Sequence, residues 1–343
     1  MEKILIAGPS WVGDMVMAQS LFIMLKQRFP DARIDVLAPA WSKPILDRMP
    51  EVNDSIILPT GHGEFRFKDR WQLGKSLRQT QYTRTLVLPR SWKSALVPYA
   101  ANIPQRTGFH GEQRFVLLND RRKLDKKILN QTVKRFFALG LEKVAYDTAL
   151  NGQGNHLDNL PDPALDVNQD NQQILIEKFG FDREKPGIAL MPGAEYGPAK
   201  QWPLESFRSL AEQLAEKGYQ VWILGSPKEA VAGDTIAASG HQDIHNLCGK
   251  TSLSDAVDLL ALAEQAVSND SGLMHVAAAA GTFVHGIYGS SSAEFTPPLT
   301  EKKQIHSLNL ECSPCFKRHC PLKHTDCLNK LSVDSVLQGV EAH

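Results

Sequence analysis

The sequence is short of several features that would otherwise decide its class. No stretch approaches ~18 uninterrupted apolar residues, so none reads as a membrane-spanning helix. The N-terminal Met-Glu-Lys-Ile-Leu-Ile-Ala-Gly-Pro-Ser has too short an apolar run for a signal peptide, and Asp14 follows soon after. It reads as a first β-strand. Cysteine is limited to five residues, four of them clustered late, which fits a reducing cytosol better than a disulfide framework. Heptads, short-period repeats and low-complexity tracts are absent. Formal net charge is zero, and no nucleic-acid partner is expected.

What is present is an ordinary globular composition over 343 residues, 42% hydrophobic and 22% charged, enough for about two domains with cores of their own. The zero net charge hides an asymmetry. Residues 1–150 carry 24 Lys+Arg against 14 Asp+Glu, a balance of +10, and the remainder balances it at −10. A basic half joined to an acidic half points to an anionic partner for the first.

Strand and helix patterns alternate along the chain. Strands are expected at 3–7, 33–37, 55–58, 85–88, 106–109 and 115–118, with helices over 15–28, 45–49, 71–78, 92–100 and 126–139 between and after them. Residues 151–170, rich in Asn, Gly, Pro and Asp, read as a linker. Alternation then restarts, with strands at 188–191, 220–224, 244–247 and 283–288 and helices at 203–217, 227–239 and 253–263. The expected fold class is α/β, two Rossmann-like doubly wound domains in series facing across a ligand cleft. Their bounds are set at 1–165 and 171–330, with a helix over 332–343 returning the chain to the first domain.

The stretch Ala266-Val-Ser-Asn269-Asp270-Ser271-Gly272-Leu-Met-His275-Val276 followed by four alanines reads as strand, polar loop and helix start. The free N–H groups and dipole of such a helix favour an anion, and Ser271 and Gly272 are small enough for a phosphate to come close. Asp270 and Ser271 are equally at home as simple helix caps. Other glycine-bearing turns lie at strand ends: Met191-Pro-Gly193, Leu224-Gly225-Ser226-Pro227 and Cys248-Gly-Lys-Thr-Ser-Leu253. Lys200, just before Pro203, adds a point charge to an anion site or is simply solvated.

In the first half, Gly8-Pro-Ser-Trp-Val-Gly13 has the glycine spacing of a phosphate loop, but Asp14 stands where that loop needs a lysine. The three-glycine dinucleotide pattern is also missing, which disfavours nicotinamide chemistry. Asp14 is then either a favourable partner for the helix dipole or a general base.

Taken together, Gly13-Asp14, Lys200-Gln-Trp202-Pro203 and Asn269-Asp270-Ser271-Gly272-Leu-Met-His275 resemble the ADP-heptose:lipopolysaccharide heptosyltransferases over nearly the whole chain. The resemblance implies the B-type glycosyltransferase fold and inverting transfer of L-glycero-D-manno-heptose from ADP-heptose to the inner-core heptose of lipopolysaccharide. It implies Asp14 and Lys200 as catalytic residues, the one a base and the other a diphosphate contact. By resemblance Asp270, Ser271, Gly272 and His275 match the donor-site loop; with Lys200, Gly13 and the strand-end residues Gly193, Ser226 and Leu253 they make the candidate donor set. Metal-dependent glycosyltransferases often use Asp-x-Asp, which is nowhere in this sequence, so no metal and no cofactor are expected.

Among the basic residues, Arg90 and Arg106 are the candidates for acceptor phosphates. The enzyme is expected in the cytoplasm, peripheral at the inner face of the inner membrane where the acceptor lies. A non-catalytic nucleotide-sugar or phosphate-binding protein is the alternative. Cys312, Cys315, Cys320 and Cys327, with His319 and His324 among them, could close a tetrahedral zinc site, but they match no standard zinc spacing and are expected as reduced thiols in a loop.

Overall fold

Parallel strands, most of them followed by a helix, account for both halves of the chain. A computed structural model describes residues 1–59 and 64–343, and it divides into compact units Met1–Pro163 and Ala164–His343. In the first unit the strands are β1 (Lys3–Ala7), β2 (Arg33–Ala38), β3 (Asp54–Ile57), β4 (Arg84–Val87), β5 (Gln105–Phe109) and β6 (Asp120–Arg122). They form one sheet in the order β3-β2-β1-β4-β5-β6, with every pairing parallel. The second unit has β7 (Gly187–Met191), β8 (Gln220–Ile223), β9 (Ile244–Asn246), β10 (Gln265–Asn269), β11 (Phe283–Ile287) and β12 (Lys303–His306). Its order is β12-β11-β10-β7-β8-β9, again all parallel.

Both sheets therefore reverse winding direction beside their first strand, between β1 and β4 in one unit and β7 and β10 in the other. Such switch points leave a crevice at the carboxyl ends of the strands. The central strands are apolar on both faces, as sheets covered on two sides require. Ile4, Leu5 and Ile6 of β1 and Ile188, Ala189 and Leu190 of β7 are fully buried.

Several local expectations are corrected. Residues 115–118 form a turn, because Glu112 and Gln113 take positive φ and fold the chain back before β6. The helix expected from 126 begins only at Thr132, since Asp125 Oδ1 accepts the Lys127 N–H at 2.8 Å and holds a turn there. A helix over Lys143–Leu150, another over Gln169–Phe179, and β12 were not foreseen.

The last helix, Val333–Glu341, does not return to the first unit. It packs on the helix Leu204–Glu216 of the second and buries Val336, Leu337 and Val340 in that unit's core. Each such burial is worth roughly 1.5–3 kcal/mol. Gln265 Nε2 in β10 donates to the Val340 carbonyl at 3.0 Å, and Lys217 pairs with Glu341 at 2.6 Å.

Candidate active site

At the switch point of the second unit, Met191 pairs with Ser268, so the loops after β7 and β10 leave the sheet side by side. Asn269, fully buried, fastens one loop to the other. Its Oδ1 accepts the Trp202 main-chain N–H at 3.0 Å, and its Nδ2 donates to the Pro192 carbonyl at 2.7 Å. Both ends of the 192–202 loop are thereby fixed to β10. The indole of Trp202, itself buried, donates to Leu331 O at 3.1 Å and locks the far side.

That loop delivers Lys200, whose Nζ lies 2.5 Å from Asp270 Oδ2. Asp270 is 5% exposed and the lysine side chain 18%, so this is a largely desolvated pair with an open edge. Asp270 and Asn269 are spent on these contacts and do not cap the helix that follows. The helix Gly272–Ala279 starts after Ser271 with no side-chain cap, which leaves its first N–H groups available to an anion. Ser271 Oγ lies 3.2 Å from Ser268 Oγ.

His275 is buried one turn into that helix. Burial holds its imidazole down to about 4, with Asp270 pulling the other way and Lys200 adding to the shift. It is a neutral ring at neutral pH, and its Nδ1 has no hydrogen-bond partner among the described residues. The Tyr288 phenol, pushed well above its ordinary value by burial and then by Asp270, donates to the Thr296 carbonyl at 2.7 Å. Just beyond, the Ser290 and Ser291 hydroxyls are buried with no hydrogen-bond partner among the described residues. Sequence reasoning missed Tyr288, Ser290 and Ser291. The only signal for them was a Gly-Ser-Ser-Ser run after a strand.

Three of the other expected donor residues follow strands of the same sheet. Gly193 follows β7, and a Cβ there would come within 3.1 Å of Glu229 Cγ. Ser226 follows β8 and is engaged in a capping box with Glu229, its Oγ donating at 2.5 Å. Leu253 opens a helix after β9, on the outer side of β8. Gly13 belongs to the first unit and is buried in the first turn of its first helix.

In that unit the helix Val12–Arg28 rises directly from the loop after β1. Asp14, half-buried, sits in its first turn, and the N-cap side chain does not cap the helix. Ala7 pairs with Val87, so the exposed Arg90 after β4 leaves the sheet beside this loop. Arg106 is corrected. It lies at the opening of β5, and its guanidinium is spent on the carbonyls of Leu117 (2.8 Å) and Ile103 (2.5 Å) and stacked on Tyr99. The basic residues that do gather near Arg90 are Arg114 and Arg135. Burial, then Arg90, pushes Arg114 down to about 10 and lowers Arg135 as well. Arg114 also holds the loop after β4 through Pro89 O at 2.7 Å.

The profile of glycosyltransferase family 9 (heptosyltransferase) matches residues 70–326. The chain belongs to this family. Lipopolysaccharide heptosyltransferase 2 of Salmonella typhimurium is 48% identical over 308 residues, 88% of this chain and 87% of that protein. Lipooligosaccharide heptosyltransferase 2 of Haemophilus influenzae is 45% identical over 313 residues, 88% of each chain. The solved structure of Escherichia coli ADP-heptose lps heptosyltransferase II matches with a TM-score of 0.87 at 42% identity, over 100% of this chain and 98% of that one.

This heptosyltransferase therefore has the expected B-type fold class, two doubly wound α/β units, and is a glycosyltransferase of lipopolysaccharide biosynthesis. A more distant structure, E. coli heptosyltransferase WaaC with ADP, shares the fold at a TM-score of 0.70 and 19% identity. No helix among the described residues is long and apolar enough to cross a membrane.

Proposed function

We propose that the enzyme transfers L-glycero-D-manno-heptose from ADP-heptose to an inner-core heptose of lipopolysaccharide, with inversion at the anomeric carbon. The observation that carries this reading is the Lys200–Asp270 pair beside an uncapped helix start at the switch point of the second sheet. The sugar's bond to the diphosphate breaks with its electron pair leaving on ADP, while the acceptor oxygen bonds the anomeric carbon. Lys200 and the first N–H groups of the helix Gly272–Ala279 meet the charge developing on the diphosphate. Asp270 fixes the lysine, Gly193, Ser271 and Gly272 admit the phosphates, and neutral His275 offers a polar nitrogen.

Asp14 takes the proton of the acceptor hydroxyl. Arg90, with Arg114 and Arg135 behind it, draws the anionic acceptor. The acidic second unit takes no part in that attraction. On this reading the enzyme works in the cytoplasm, at the inner face of the inner membrane, with no cofactor.

Incubation with ADP-heptose and a truncated, heptosylated acceptor tests the proposal. The expected result is ADP release matched by one added heptose, with anomeric configuration opposite to that of the donor. Binding of ADP-heptose without transfer to this acceptor would contradict it.

A further inference from the structure

The fold gathers Cys312, Cys315, Cys320 and Cys327, far from regular in spacing, around one cavity of about 20 Å³. That is room for a single water-sized occupant. None of the four is in a disulfide. The Thr325 main-chain N–H donates to Cys320 Sγ at 3.4 Å. Lys317, Arg318 and Lys323 stand on the same segment and offset accumulated charge there.

We propose that these four sulfurs form a structural tetrathiolate site for one divalent ion of the zinc class. Four thiols would release four protons, and the resulting centre would carry a net charge of 2−. Among the described residues no three ligating side chains already stand in coordinating geometry. Binding would have to draw the sulfurs together around the cavity they already line.

The position of the cavity gives the ion a purpose. Ala199 forms part of its wall, and the Ala199 N–H donates to Arg318 O at 3.1 Å. Tyr196 Oη donates to Phe316 O at 2.9 Å. The Cys315–Cys320 stretch thus braces the turn that delivers Lys200. The site stands independently of the donor assignment, because its test uses the metal alone.

The experiment is an anaerobic titration of the reduced, chelator-treated full chain with Co²⁺. One equivalent should produce thiolate-to-cobalt charge-transfer bands with a tetrahedral d–d envelope, and Zn²⁺ should displace it. Cys312→Ser and Cys320→Ser should each weaken binding at least ~10-fold, whereas Cys248→Ser, whose sulfur faces the Ile223 carbonyl elsewhere, should not. Circular dichroism identifies any variant that fails to fold. In the unmutated chain, Zn²⁺ should also slow modification of the cluster by a thiol reagent. Absence of the charge-transfer bands, equal binding by folded Cys320→Ser, or thiol reactivity indifferent to Zn²⁺ would each overturn the site.

Discussion

Lys200 Nζ lies 2.5 Å from Asp270 Oδ2, joining loops that leave β7 and β10 on the two sides of the switch point. A carboxylate this buried needs its cation, and the cation is held where an anion can still reach it. Lys200→Ala should weaken ADP binding by about 10- to 100-fold, the loss of one charge-assisted hydrogen bond at ~1.5–3 kcal/mol. It should also lower the melting temperature, because Asp270 is left unpaired. Calorimetric titration with ADP checks the first, and unchanged affinity would remove Lys200 from the site.

Asn269 acts through the loop it fastens. Asn269→Ala deletes two buried hydrogen bonds and should cost ~1–3 kcal/mol of stability while raising KM for the donor. Asn269→Asp should not rescue it, since its second oxygen would face the Pro192 carbonyl where an N–H now donates. Denaturant unfolding and donor titration on both variants measure this, and a wild-type KM in a stable Asn269→Ala would contradict the positioning role.

Acid should loosen the second unit. His285 Nδ1 lies 3.1 Å from His306 Nε2, and burial holds the two imidazoles down to about 3 and about 4. Both stay neutral in the fold while the unfolded chain takes up protons below its ordinary value of about 6.5. Stability should be full above that pH and fall as pH drops toward 4. Melting curves between pH 7.5 and 4.5 check this, and His306→Gln should flatten the slope.

Much of this site was legible in the sequence, because short apolar strands, glycine turns and the Asn-Asp-Ser-Gly helix start are local signals. Lys200 and Asp270 were both identified, but their pairing was not, since it depends on β7 and β10 being neighbours. Arg106 misled because position beside a glycine says nothing about which end of a strand a guanidinium serves. The last helix misled too. Its amphipathic pattern shows that Val336, Leu337 and Val340 are buried, not against which unit. The cysteine cluster was visible as a run of thiols that could close a tetrahedral site, but its irregular spacing did not show that all four line one cavity.

Binding of the acceptor should weaken as salt rises. Attraction to Arg90 and the basic first half is screened beyond a Debye length of ~8–10 Å, whereas on the proposed reading ADP meets Lys200 at contact distance and should respond less. Acceptor and ADP affinities measured at low and high salt compare the two. An acceptor affinity flat with salt would leave the charge asymmetry without a role in binding.

The most direct test of the account is the turnover of Asp14→Asn at saturating ADP-heptose and acceptor. Asp14 stands in the first turn of Val12–Arg28, in the unit that does not carry Lys200. The substitution keeps its shape and one oxygen but removes the capacity to take up a proton at neutral pH. Loss of the helix-dipole contact alone would cost at most ~1 kcal/mol of stability and spare turnover of the folded enzyme. The account predicts a fall of roughly 10²–10⁴ in turnover with ADP-heptose affinity nearly unchanged, and near-normal turnover would contradict it.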